Sequence, residues 1–466
     1  MKSRSFFKGL SWLILLNLLV KPVWILFIDR QVQNITGFEV YGQYFAVLNL
    51  SLVLFSIADA GLSVMLNQRM ALQRNVDVSR LLRIKLVLVL LYGIACCLIA
   101  ALAHLDAWKL LVYVILIQVA TSIFVFLRSI ITANQYFTTD AFFSIVDKLL
   151  MILICGMMIY TTFFVRINLY IFLEVQLVCT VVAVLLASVF IIKRKLITGG
   201  EKESIKSILE ATWPFAVCIL LMSVHYRIDG FLLQQIHTNG NMEAGRYAAA
   251  YRLLDASNMV GYLAASFLVP FVARNINDKA LVNETVIRIR HGLVFLSVGI
   301  VSFAAVFAPW IQHILYHSSE PYLSRVISFC LAALPGYYFV HVYGSVLTAT
   351  GRLITFMRIL LVTVIINVVL NLLLIPQYGA LGCCFAAITS QYFCGMATFY
   401  ASTKGKADVR SFIGYFALTV ILYFFFYAGN MIISNVWVIL AIAIIICLLL
   451  LAIQLGFFKK KFVLLR

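Results

Sequence analysis

Six cations and five acids lie in stretches that are otherwise apolar. The cations are Lys21, Arg128, Lys148, Arg227, Arg252 and Arg358, and the acids are Asp59, Asp147, Glu174, Asp229 and Asp255. A charge at the middle of a bilayer costs at least about 2.5–3.5 kcal/mol on insertion scales, so such groups normally face a protein interior or a wet cavity. Cations gathered in a sheltered cavity bind anionic oxygens, phosphates above all. A buried carboxylate can take up a proton or a sodium ion, which suits coupling to an ion gradient. Metal-ligand spacing, a nucleophile elbow and a phosphate-cradling glycine loop are all missing from the sequence. Direct use of ATP is therefore not expected, and no cofactor is expected beyond coupling H+ or Na+.

The elements that hold these charges follow from composition. Of 466 residues, 64% are hydrophobic and only 12% are charged, with a mean hydropathy of +1.03. Soluble domains are about half apolar and a quarter charged. A soluble enzyme, a nucleic-acid-binding module and a disordered chain are excluded, and an all-α polytopic membrane protein is expected. A ruler of roughly 20 apolar residues per crossing finds fourteen candidate spans, from Leu10–Ile28 to Met431–Leu455. The first is too long for a signal-peptide core, and no small-x-small cleavage site follows it, so it is read as retained. The ten cysteines lie in apolar stretches and read as reduced packing residues.

The net charge of +18 comes from 36 Lys and Arg against 18 Asp and Glu. If the N-terminus is inside and the spans alternate, the inside segments hold 25 Lys and Arg and the outside segments five. That bias favours cytoplasmic termini. A charged, glycine-containing loop after the sixth span divides the chain into a six-helix lobe over 1–195, a linker over 196–210, a second six-helix lobe over 211–403, and an extra helix pair with a basic tail over 404–466. Echoes fall at matching places in the halves. Gly42-Gln43-Tyr44 opens span two and Gly245-Arg246-Tyr247 opens span eight; Thr132-Ala133-Asn134 closes span four and Thr348-Ala349-Thr350 closes span ten. Parallel repeats of this kind build known transporters. The largest outside loop, around His317–Arg325, is too short for an external catalytic domain.

Three stretches carry a family resemblance. They are Tyr41-Gly42-Gln43-Tyr44 with Asp59-Ala60-Gly61-Leu62; Arg227-Ile228-Asp229-Gly230 with Glu243-Ala244-Gly245-Arg246-Tyr247; and Asn367 to Asn371 leading to Pro376-Gln377-Tyr378-Gly379. Together they resemble the polysaccharide-export flippases of the multidrug/oligosaccharidyl-lipid/polysaccharide superfamily, which move O-antigen or capsule repeat units. The resemblance implies two pseudo-symmetric six-helix lobes around a central cavity, with two added C-terminal helices. It implies translocation of an undecaprenyl-pyrophosphate-linked oligosaccharide to the outer leaflet of a bacterial cytoplasmic membrane by alternating access. The partners so implied are that glycan lipid, membrane lipid, and a polysaccharide polymerase with chain-length proteins, but no nucleic acid. In a relative that handles lipid-linked peptidoglycan precursor, the added pair helps form a groove for the lipid tail.

Such a load assigns roles to the buried charges. Lys21, just before the kinking Pro22, either lines the cavity or snorkels to an interface. Arg252 is a candidate cavity cation, or pairs with Asp255 at i,i+3 on one helix face; Arg227 and Asp229, spaced i,i+2, do not face each other, which leaves Arg227 freer for a phosphate, and Asp229 is read as solvated. Lys148 is a further cavity cation, while Arg128 and Arg358 are read as snorkelling. Asp59, Glu174 and Asp255 are the candidates for ion coupling, with salt bridges as the alternative. Asn367 and Asn371 either contact sugar or bond between helices, and His341 either faces sugar or belongs to an aromatic packing or interfacial cluster. Two rivals stay open: a multidrug/cation antiporter of the same superfamily, which wants acids in its cavity, and a membrane-embedded polymerase or ligase.

Overall fold

A computed structural model describes residues 2–71, 77–161, 167–197, 204–403, 409–433 and 435–442. Part of the expected linker, most of the last span and the basic tail lie outside the described residues. The described chain is all helical: α1 Lys2–Val23, a π-helical segment Trp24–Asp29, α2 Arg30–Thr36, α3 Phe38–Asp59, α4 Leu62–Ala71, α5 Val78–Leu102, α6 Trp108–Ala133, α7 Phe137–Tyr160, α8 Leu169–Lys193, α9 Ile205–Ile236, α10 Gly240–Arg274, α11 Lys279–Tyr316, α12 Pro321–Leu331, α13 Leu334–Ala349, α14 Leu353–Tyr378, α15 Ala380–Thr403 and α16 Val409–Ile432. Eleven spans among the described residues are long and apolar enough to cross a membrane. Of the fourteen expected, the others are the first, which runs unbroken from α1 through α2; α16, whose apolar part is Ala417–Ile432; and the last, described only over 436–442.

Several helices outrun the apolar windows that mark them. The helix at span nine starts at Lys279, where the Asp278 side chain caps it by accepting from the Leu281 N–H. Hydropathy detects only the stretch in lipid, whereas backbone hydrogen bonding continues through polar turns. Two spans are broken within their length. Span two turns at Ala60 and Gly61, both at positive φ (44° and 79°), before α4 begins. Span ten breaks between Leu331 and Leu334, next to Pro335. In span one, Pro22 offers no N–H to the preceding turn, and the ladder widens into the π segment two residues later.

Helix packing repeats between the halves. In the first half α1 packs on α7, α3 on α5 and α6, α6 on α8, and α7 on α8. In the second half α9 packs on α14, α10 on α11, α12 and α13, α13 on α15, and α14 on α15. These are the same partnerships six spans later. The halves meet where α3 packs on α9 and α10, and where span one packs on α10. The C-terminal α16 lies against α11. On α5, Leu86, Leu90, Ile94, Leu98 and Leu102 form an exposed stripe at i,i+4 spacing, as a lipid-facing side requires.

The bundle has a near end, with the breaks at 71–78, 133–137, 193–205, 274–279 and 349–353, and a far end, with those at 36–38, 236–240, 316–321 and 378–380. At the far end the halves touch backbone to backbone. A Cβ on Gly42 would strike the Asn241 carbonyl, and one on Gly245 would strike the Phe38 carbonyl. The two glycines of the sequence echo are thus the contact that lets spans two and eight cross closely.

Candidate functional site

A cavity of about 500 Å³ opens between the halves, within the range of ligand clefts. Span one supplies Asn17 and Lys21, α6 supplies Arg128, α7 supplies Ser144, and α10 supplies Asp255 and Tyr262. Asn17 is fixed by donating to the Ser144 Oγ at 2.7 Å and to the Leu13 carbonyl at 2.8 Å. Lys21 follows one turn later on the same helix face and makes no hydrogen bond or ion pair among the described residues. The charged groups acting on it are Arg128, Lys148, Asp147 and Asp255. Arg128, read from the sequence as snorkelling, instead lines this cavity, held by a two-point bond to Asp140 at 2.8 and 3.2 Å. Arg358 is exposed near the near end.

The pairing expected between Arg252 and Asp255 is not the one formed. Asp255 accepts from Arg227, whose Nη2 is 3.2 and 3.4 Å from the two carboxylate oxygens. The Arg227 guanidinium lies 5.1 Å from the centre of the Tyr251 ring. Arg227 is therefore bonded and not free, although its partner lines the cavity. Arg252 leaves the cavity altogether. Its Nε meets Asp29 at 2.8 Å, its Nη1 meets Gln33 Oε1 at 2.6 Å and the Tyr316 hydroxyl at 3.2 Å, and its guanidinium stacks over Tyr41. Local spacing favours i,i+3, but a buried guanidinium needs several acceptors at once, and only span one and α11 offer them.

That cluster joins the halves at the far end. Gln33 also donates to the Gly245 carbonyl at 2.7 Å, and Arg30 and Asn34 donate to the Leu315 carbonyl at 2.5 and 2.8 Å. Together with the Gly42 and Gly245 contact, these bonds shut the far end above the cavity.

The expected coupling acids are each bonded to another side chain. Asp59 is bonded to Lys85 at 2.8 Å, and Lys85 is fully buried. Asp59 also accepts from the Ser63 hydroxyl and N–H, capping α4 after the Ala60–Gly61 turn. Glu174 is exposed and accepts from the Tyr113 hydroxyl at 2.9 Å, away from the cavity. Asp255 is the partner of Arg227. Lys148 pairs with its neighbour Asp147 at 3.3 Å and sits over the Trp24 ring; it is outside the cavity lining, so neither it nor Arg252 is a cavity cation.

Asp229, read from the sequence as solvated, is 3% exposed. It accepts from Asn371 at 2.8 Å and from the Tyr247 hydroxyl at 3.1 Å, with no cation bonded to it among the described residues. Asn371 donates also to Asn367, and Asn367 and His225 both reach the Ser390 hydroxyl. Asn367 and Asn371 are thus bonded inside the second half and are not among the residues lining this cavity. His341 is likewise buried, bonded to Asn258 at 3.0 Å and packed where Gly261 leaves room; it backs Tyr262, which does line the cavity, at 4.5 Å between ring centres. The i,i+4 spacing of the two asparagines marked a polar face, and the Asp229 on span seven that it serves was visible only as a residue type.

No protein-family model matches this sequence, and no curated protein matches it. Solved structures do. The lipid II flippase MurJ in an inward closed conformation aligns over 99% of this chain and 99% of its own, with a TM-score of 0.66 at 12% identity. The fold is shared with transporters. An inward-facing multidrug resistance MATE family transporter of the MOP superfamily aligns over 85% of this chain and 96% of its own, at TM-score 0.61 and 15% identity. The Vibrio cholerae MATE transporter VcmN in its bent form aligns over 89% and 98%, at TM-score 0.54 and 16% identity. The likeness is one of fold, common to a lipid flippase and to multidrug transporters.

Proposed function

We propose that this chain is a flippase that carries an undecaprenyl-pyrophosphate-linked oligosaccharide, an O-antigen, capsule or exopolysaccharide repeat unit, across the bacterial cytoplasmic membrane. One observation carries the proposal: the cavity between the halves holds Lys21, which has no bonded partner among the described residues, beside Arg128, with Arg227 one bond away through Asp255. An anionic headgroup supplies what that cavity lacks, and phosphate oxygens are the acceptors guanidinium and ammonium groups bind best. An organic-cation antiporter needs free acids there, and the one lining carboxylate is tied to Arg227. A polymerase or ligase needs an external catalytic segment, and the described far-end connections are short. The fuller coverage of the MurJ fold supports the same choice.

With the termini in the cytoplasm, as the charge bias favours, the near end faces inward and the shut far end faces out. The headgroup then enters between the halves from inside while its tail remains in lipid, and rocking of the halves exposes it outside. Polymerase and chain-length proteins would receive the product. Coupling to H+ or Na+ is assigned to Asp229, the buried carboxylate that the described cations leave uncompensated. Replacing Lys21 or Arg227 by Ala is expected to abolish surface polysaccharide while the protein stays at normal level in the membrane. Normal polymer in both variants, or efflux of organic cations by reconstituted protein, would overturn the proposal.

A further inference from the structure

Two ion pairs on α10 differ in a way that bears on selectivity. Arg252 and Asp29 are bonded at 2.8 Å with the arginine side chain 4% exposed. Three residues on, Asp255 holds Arg227 at only 3.2 Å, with 31% and 23% of the two side chains exposed. The first pair is closed to any ligand, whereas the second is longer and partly exposed, with its carboxylate in the cavity wall. Asp255 is also the one carboxylate among the lining residues, and it acts on Lys21 as well. Asp255 thus bonds Arg227 and, together with Asp147, acts on Lys21.

We infer that Asp255 is a resident counter-anion that sets the headgroup charge the cavity accepts, yielding Arg227 to a headgroup with two phosphates but not to one with a single phosphate. This rests on the cavity being the headgroup site. A phosphodiester brings one negative charge. Taking Arg227 from Asp255 exchanges one anion for another and strands the carboxylate beside the newcomer, so little is gained. A pyrophosphate diester brings two negative charges. One phosphate takes Arg227 and the other reaches Lys21, which has no bond to give up, so a new attraction is added to an even exchange. Phosphatidylethanolamine and phosphatidylglycerol carry one phosphate each, so one that meets Lys21 has no second phosphate for Arg227.

The test is binding of two probes with the same tail and sugar to the full chain in nanodiscs, read by native mass spectrometry. The probes are undecaprenyl phosphate-linked and undecaprenyl pyrophosphate-linked N-acetylglucosamine. The unaltered protein is expected to favour the pyrophosphate probe by about tenfold or more, which is about 1.4 kcal/mol. In Asp255→Asn the phosphate probe should gain about tenfold and the preference should collapse, whereas Asp255→Glu should keep it. Two results would overturn the inference: an unchanged preference in Asp255→Asn, or loss of both probes in a variant whose melting profile matches the parent. Failure of the unaltered protein to bind either probe would instead remove the headgroup site itself.

Discussion

Lys21 and Asp229 are opposite cases of an unmatched charge. Lys21 lines an open cavity where a ligand can reach it, while Asp229 is enclosed among Tyr247, Asn371 and their neighbours. Sequence identified both as intramembrane charges but could not tell them apart, because the difference lies in which helices surround them. The same limit explains the mispairings. Asp59 meets Lys85 from the next span, and Arg252 meets Asp29 from 223 residues away, whereas a sequence offers only partners a turn distant. The placement of Lys21 was easier to read because the adjacent Pro22 marks a change of winding in span one. At this scale, Asp229→Asn should keep the fold and headgroup binding, since the new amide oxygen can accept from Asn371 while its NH2 donates to the Tyr247 hydroxyl. Transport in reconstituted vesicles should then stop responding to an imposed pH or sodium gradient. A gradient response equal to the parent's would exclude Asp229 as the coupling group.

Among the elements, span one and α10 do most to define the site. Span one carries Lys21 below its π segment and Asp29, Arg30 and Gln33 at or beyond it; α10 carries Gly245 and Arg252 at the far end and Asp255 in the cavity wall. The eleven spans found among the described residues were legible from hydropathy, because burial in lipid demands long apolar runs. The breaks at Ala60–Gly61 and before Leu334 were not, since they interrupt direction without interrupting hydropathy. Removing one member of a buried ion pair costs about 3–5 kcal/mol. Arg252→Ala should therefore lower the melting temperature of the purified protein markedly, and Asp29→Asn combined with it should recover part of the loss. A single variant that melts like the parent would mean that the far-end cluster contributes little. Gly245→Ala should also disturb the far end, because its methyl would meet the Phe38 carbonyl; an overpacked contact costs about 1–3 kcal/mol.

At the scale of the molecule, two similar halves enclose a cavity that is shut at the far end. Alternating access requires that closure to be temporary. Asn34 and Leu315, bonded across the halves, offer a way to fix it. A disulfide between cysteines placed at these two positions should block transport, and reductant should restore it; undiminished transport by the cross-linked protein would show that the far end need not open. The echoes at Gly42 and Gly245 pointed to duplication, and they turn out to mark the place where the copies touch. The most direct test of the central claim is lipid flipping in vesicles that contain only this chain. Fluorescent undecaprenyl-pyrophosphate-linked oligosaccharide should move between leaflets, as read by a membrane-impermeant quencher, at a rate that falls to the protein-free background in Lys21→Ala with no loss of incorporated protein. Flipping by Lys21→Ala at the parent's rate, or none by the parent itself, would contradict it.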